Sequence, residues 1–254
     1  MVSSVALFTL LFAATSAKRP TRGFTSNELI PRSSKLFKVA LTQKGYIQFL
    51  RYQVAVPEML DFTYCLWMRT KNFTHPHPLF SYSQKETQRV VRGWLSPSHQ
   101  SALVHMEVLE QPVMRVRIEL MHYRWYHFCQ SWNSAQAHFE LHINGELVAS
   151  GTAPTLRGKP IPGGGDVVVG QELTDADKGL DDGIEGEVFG FNLVTGGGAS
   201  LGRQLARYGY HYCTAGRGAP PISKGRYLIN WPETPIRVFG GATVMPARPV
   251  CRHF

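Results

Sequence analysis

Seven of the chain's 18 carboxylates, Glu172, Asp175, Asp177, Asp181, Asp182, Glu185 and Glu187, fall within 16 residues, with Lys178 as the one cation among them. Like charges held this close repel unless water or a counter-ion neutralises them. Glycines at 170, 179, 183 and 186 give the backbone freedom to fold back, so that several of these oxygens converge. Oxygen ligands on such a loop suit Ca²⁺, which takes about six to eight of them, although the twelve-residue EF-hand spacing is absent. The plain alternative is a solvated acidic loop. Glu185 and Glu187 also have the two-residue spacing of acids on one strand face, which glycoside hydrolysis would need beside a cleft. Gly186 between them and Phe189 beyond break the acid-hydrophobic-acid alternation, and no Ser or Cys sits in a nucleophile elbow. The chain therefore reads as a binding protein and not an enzyme. His75, His77, His99, His122 and His142 fall in turns or on polar strand faces, where surface positions are expected.

The other reactive side chains are the cysteines Cys65, Cys129, Cys213 and Cys251. An apolar run at residues 5–14 is followed by Thr15-Ser16-Ala17 and then Lys18-Arg19-Pro20. The run is short of the ~18 residues of a transmembrane helix, and small residues stand where signal peptidase cuts. Residues 1–17 are thus expected to be a signal peptide, and the mature chain to be extracellular. In that oxidising setting four cysteines read as two disulfides, and three pairings are open. No C-x-x-C spacing is present, which argues against zinc. Asn72-Phe73-Thr74 is a glycosylation sequon with Asn72 as acceptor. The net charge of +9 permits an anionic partner, while no nucleic-acid motif accompanies it.

The elements that must position these groups are strands. In 114–120 and 138–143 apolar and polar residues alternate with period two, the pattern of half-buried strands. Asn144-Gly145 then leads into 146–149, a hairpin signal. Further strands are expected at 47–54, 62–69, 79–83, 90–94, 102–109, 126–132, 167–170 and 188–194. Leu201, Leu205 and Tyr208 share one side of a short helix over 199–208, which Gly202 weakens. Many short strands between Gly/Pro turns indicate an all-β antiparallel sandwich or jelly roll. Residues 18–43 read as a loosely ordered basic arm, and 44–254 as one domain.

Several blocks carry a resemblance. Phe62-Thr63-Tyr64-Cys65-Leu66-Trp67, Leu79-Phe80-Ser81-Tyr82-Ser83 and His127-Phe128-Cys129-Gln130-Ser131-Trp132 resemble the pentraxins, the last block being similar to their His-x-Cys-x-Ser-Trp signature. Leu141-His142-Ile143-Asn144-Gly145, residues 164–172, residues 186–193 and Asn230-Trp231 follow in the family's order. The resemblance implies a two-sheet jelly roll of the concanavalin or laminin-G kind with one helix on a face. It also implies a Cys65–Cys129 disulfide, leaving Cys213–Cys251 as a second bridge. It implies calcium-linked binding of anionic surface ligands, such as phosphocholine-type headgroups or glycans, and a cyclic homo-oligomer. Here the calcium ligands would be Glu172, Asp175, Asp181 and Asp182. The family's Asp-Asn pair is absent, with Glu86-Thr87-Gln88-Arg89 in its place and Arg89 as a cation near the site, so the expectation is one weakly held ion or none. The alternative is a calcium-independent adhesion module that binds protein or sulfated glycan through its basic surface.

Overall fold

A computed structural model describes residues 28–30, 36–85, 88–99, 101–172, 183–211, 222, 224–231 and 233–248. The first strands in chain order are β1 (Glu28–Ile30), β2 (Phe37–Leu41), β3 (Leu50–Tyr52) and β4 (Asp61–Thr70). Next come β5 (His77–Gln84), β6 (Gln88–Ser98), β7 (Ser101–Val108) and β8 (Gln111–Ile118). They are followed by β9 (Tyr126–Asn133), β10 (His138–Ile143), β11 (Glu146–Thr152), β12 (Asp166–Val169) and β13 (Gly186–Thr195). The helix α1 (Gly198–His211) then precedes β14 (Arg226–Ile229), β15 (Ile236–Val238) and β16 (Thr243–Pro246).

The alternation expected from the sequence is the alternation observed. Ala102, Val104, Met106 and Val108 of β7 are fully buried, while the residues between them face outward. Asn144 and Gly145 both adopt positive φ, 54° and 85°, and turn β10 into β11. Mirror-image turns of this kind match the twist of the flanking strands, which is why Asn-Gly favours them.

Two antiparallel sheets result. The first runs β1-β15-β3-β12-β5-β6-β7-β8, and the second β11-β10-β9-β4-β13-β2-β16, with β14 paired to β13. Side chains of the two inner faces form one core, in which the ring of Phe191 meets those of Tyr52, Tyr64 and Phe80. Gly93 of β6 sits against the hydroxyl of Tyr64, which donates to Gln130 Oε1 at 2.6 Å.

The helix covers the outer face of the second sheet, over β9, β4 and β10. Leu201, Leu205 and Ala206 are its buried residues. Gly202, which lowers helix propensity, stands where any Cβ would come 2.3 Å from Ser131 Oγ, so its absence lets the helix seat closely. Asp61 receives the backbone N–H of Gly198 (3.0 Å) and of Gly196 at the helix start, where the aligned peptide dipoles favour an anion.

Three expectations are corrected. Residues 37–41, read as part of a loose arm, form β2 inside the second sheet between β13 and β16. Phe37, Val39 and Leu41 are buried there, but two and a half periods of alternation are too few to stand out. His77 and His142 are buried, not on the surface. His142 lies on a polar strand face, but α1 covers that face.

Candidate functional site

The outer face of the first sheet, on the far side from α1, gathers charge. Register places Arg237 opposite Arg51, Arg51 opposite Val168, Val168 opposite Ser81, Ser81 opposite Arg92, and Arg92 opposite Glu107. Residues directly opposite in a sheet share a face, so these form one row across six strands. Beside it runs Trp94, His105 and Arg115, and beyond that Leu103 and Arg117. With Arg89, six arginines are set on this face against Asp166, Glu107 and Glu172.

Like charges directly opposite destabilise a sheet unless neutralised. Arg51 is neutralised by Asp166, with Nη2 and Nε donating to Oδ1 at 2.7 and 3.1 Å. Arg237 donates through Nε to the side-chain oxygen of Gln53 at 2.7 Å, in the amide orientation that pairs donors with acceptors. These four side chains and Phe239 border a cleft of about 430 Å³.

The centre of the row is an ion cluster. Glu172, three residues after β12, has a side chain only 4% exposed. Arg92 donates to its Oε1 through Nε at 2.7 Å and also through Nη2. Arg89 Nε stands 3.3 Å from its Oε2, and Arg92 Nη1 stands 3.3 Å from Glu107 Oε2. The Arg92 guanidinium lies over the Trp94 ring at 4.3 Å, and the His105 ring is parallel to that of Trp94 at 4.5 Å. Burial, reinforced by Arg115 and Arg92, lowers the His105 pKa to about 4, and Ser96 Oγ meets its Nε2 at 2.7 Å. An electron-rich indole between charged neighbours holds a guanidinium in place by cation–π attraction.

Of the four residues expected to hold calcium, Glu172 is the one within the described residues; Asp175, Asp181 and Asp182 lie outside them. The Glu172 carboxylate as arranged is an ion-pair partner, its Oε1 accepting from Arg92 and its Oε2 accepting no hydrogen bond from Arg89. Both oxygens already face guanidinium groups, and a divalent cation would have to enter against two positive charges. Arg89 comes from the segment that replaces the family's Asp-Asn pair.

The remaining candidates are dispersed. Cys65 and Cys129 stand opposite each other on β4 and β9 and form a disulfide; Cys213 and Cys251 lie outside the described residues, as do residues 1–17. His127 comes within 4.8 Å of both sulfurs, but their bond leaves no thiolate to hold a metal. Asn72 is half-buried in the turn after β4, where its Nδ2 donates to Glu185. Glu187 pairs with Arg69 and with Lys38 at 3.3 Å. Glu185 and Glu187 are thus engaged with different elements. The row of arginines with Trp94 and His105 escaped the sequence reading. Arg92-Gly93-Trp94 and Arg115-Val116-Arg117 mark outward positions on their strands, but only register across non-consecutive strands brings them together.

An antiparallel two-sheet jelly roll with one covering helix and a charged outer sheet face defines a class of all-β modules. Residues 36–189 match the Pentaxin family, and the chain belongs to that family. It is 30% identical over 186 residues to pentraxin-related protein PTX3 of Homo sapiens, covering 72% of this chain and 45% of that protein. It is 28% identical over 212 residues to the neuronal pentraxin receptor of Homo sapiens, covering 82% of this chain and 39% of that protein. The chain therefore spans about half the length, or less, of these relatives. The heptameric SAP-like pentraxin of Limulus polyphemus superposes with a TM-score of 0.69 at 17% identity, over 85% of this chain and 97% of that one. A protein from Bacteroides ovatus follows at 0.55 and 15%, over 84% of this chain and 60% of that one. No helix among the described residues is long and apolar enough to cross a membrane.

Proposed function

We propose that this chain is an extracellular recognition module, without enzymatic activity, that binds anionic groups on surfaces or glycans. Phosphocholine-type headgroups and acidic glycans are the ligand classes meant. The observation that carries this is the row of arginines on the outer face of the first sheet, set beside the Trp94 platform. Guanidinium groups match phosphate, sulfate and carboxylate oxygens with paired donors, and an aromatic edge adds contact area. Family membership and the signal-peptide-like start support secretion, the sequon supports a glycan at Asn72, and the heptameric relative supports a cyclic assembly. The pairing of Glu172 favours fixed side-chain charge over a bound calcium ion as what meets the ligand.

Immobilised heparin and phosphocholine-conjugated albumin test this reading. We expect saturable binding to at least one, weakening about tenfold or more as salt screens the surface charge. The double variant Arg51→Glu, Arg237→Glu should lose that binding while keeping the fold. Silence of the wild-type chain on both surfaces at low salt would end the proposal.

A further inference from the structure

We infer that the guanidinium groups of Arg89 and Arg92 take the place of a divalent cation at Glu172, so that this face meets an oxyanion without metal. The inference rests on the anionic-ligand reading above and names the protein groups that would make the recognition metal-independent.

The geometry is built from fixed elements. Glu172 follows β12, which is clamped between β3 and β5, and both arginines stand on β6, the neighbour of β5. A buried carboxylate needs a compensating charge, and losing the partner is far costlier than never having had the pair. Here Arg92 hydrogen-bonds Oε1, and Arg89 Nε stands 3.3 Å from Oε2 as an ion-pair partner that donates no hydrogen bond to it. Metal and arginine are alternatives at such a carboxylate, because calcium would need the same oxygens and would be repelled by both cations. Arg92 is held further by Glu107 and by the face of Trp94, so all three of its nitrogens face carboxylates and its position is fixed before any ligand arrives. The result is a fixed ion cluster, two guanidiniums against the carboxylates of Glu172 and Glu107, that no chelator removes. It sits among Arg51, Arg115, Arg117 and Arg237, which with Asp166 give the face its excess positive charge, and no arginine side chain loses its charge near neutral pH.

The ligand chemistry is a tetrahedral oxyanion ester. A sulfate ester on a glycan and a phosphate ester on a headgroup share it, and heparin and phosphocholine-conjugated albumin tell them apart. With the full chain stripped of metal, binding to whichever probe is recognised should agree within about twofold in calcium and in EDTA, while salt weakens it. Arg92→Lys keeps the charge and loses the fork, and should bind several-fold more weakly.

A melting comparison decides the assignment without any ligand. The wild-type chain should melt at the same temperature in millimolar calcium and in EDTA. Arg92→Ala and Arg89→Ala should each melt lower, and calcium should restore part of the loss, because the freed carboxylate can then take a cation. If Arg92→Ala does not fold, Arg92→Lys and Arg89→Ala carry the comparison. Probe binding by the wild type that EDTA abolishes would overturn the inference. So would a calcium-induced rise in its melting temperature that Glu172→Gln removes. If neither probe binds under any condition, the anionic-ligand reading falls, and the melting data still decide what stands at Glu172.

Discussion

Burying an imidazole favours its neutral form, and this molecule buries several. His127, beneath α1, has its pKa lowered to about 3, by burial first and then by the nearby His142. His77 is lowered to about 4, again by burial first, partly countered by hydrogen bonding to the backbone oxygens of Pro76 and Asn72. Both folded values lie below the ordinary histidine value of ~6.5, so the unfolded chain takes up protons first as pH falls. The stability these groups confer is complete above ~6.5 and drains through the window between there and the folded values. Each should cost up to about 1.4 kcal/mol per pH unit inside that window. Urea unfolding followed from neutral pH downward should show the loss, and His127→Gln should flatten the curve. A chain as stable at mildly acid pH as at neutrality would refute this account. The same residues show where the sequence misleads. His138, Glu140 and His142 alternate with Phe139, Leu141 and Ile143, so they read as a solvent-facing edge. Period-two alternation separates two faces but cannot say whether a helix lies over the polar one. Glu172 was legible as a chemically active acid, and the family resemblance put Arg89 near it as a cation, while Arg92 was not legible, because strand pairing brings it to Glu172 across 80 residues of chain.

Among the elements, β7 and β8 were legible because each repeats its alternation several times, and β4, β5, β9 and β13, buried on nearly every residue, as apolar runs between turns. The three-residue strands β1 and β15 and the four-residue β14 and β16 carry too few repeats to be told from loop. The helix was found because Leu201 and Leu205 fall one turn apart, although it runs past 208 to His211. Close approach between elements was invisible, since it is set by residues that lack side chains. Gly93 is the sharpest case: a Cβ there would lie 1.9 Å from Tyr64 Oη and 2.6 Å from Gln130 Oε1, inside the buried hydrogen bond that joins them. Gly93→Ala should therefore destabilise the fold by about 2 kcal/mol, through overpacking and the broken pair. Chemical denaturation measures this directly. A loss below about 0.5 kcal/mol would mean the two sheets have slack here that the packing does not suggest.

At the scale of the whole molecule, the Cys65–Cys129 bridge does more than join neighbours on the second sheet. The two cysteines are 64 positions apart, and the chain between them includes β5, β6, β7 and β8, which is half of the first sheet. Closing a loop of that size removes conformational entropy from the unfolded chain, amounting to roughly 4 kcal/mol on the chain-entropy estimate. The double variant Cys65→Ala, Cys129→Ala should lose stability of that order, read as a lower urea midpoint with little change in slope. An unchanged midpoint would mean that strand pairing alone confines this excursion in the unfolded chain. The pairing itself was open among three choices from the cysteine count, and the family resemblance supplied the one the structure shows.

The bridge also lies in an unusual place. Cys65 and Cys129 belong to a small apolar cluster with Val194, Leu201, Leu205 and Ala206, separate from the core between the sheets. α1 is the lid over that cluster, and lifting it exposes far less apolar surface than parting the sheets. Such an element opens locally, on its own, more often than the molecule unfolds. A reductant therefore reaches the sulfurs through the rare moments when the helix swings clear. The rate at which the bridge is cut becomes a clock for that single motion, running while both sheets stay shut.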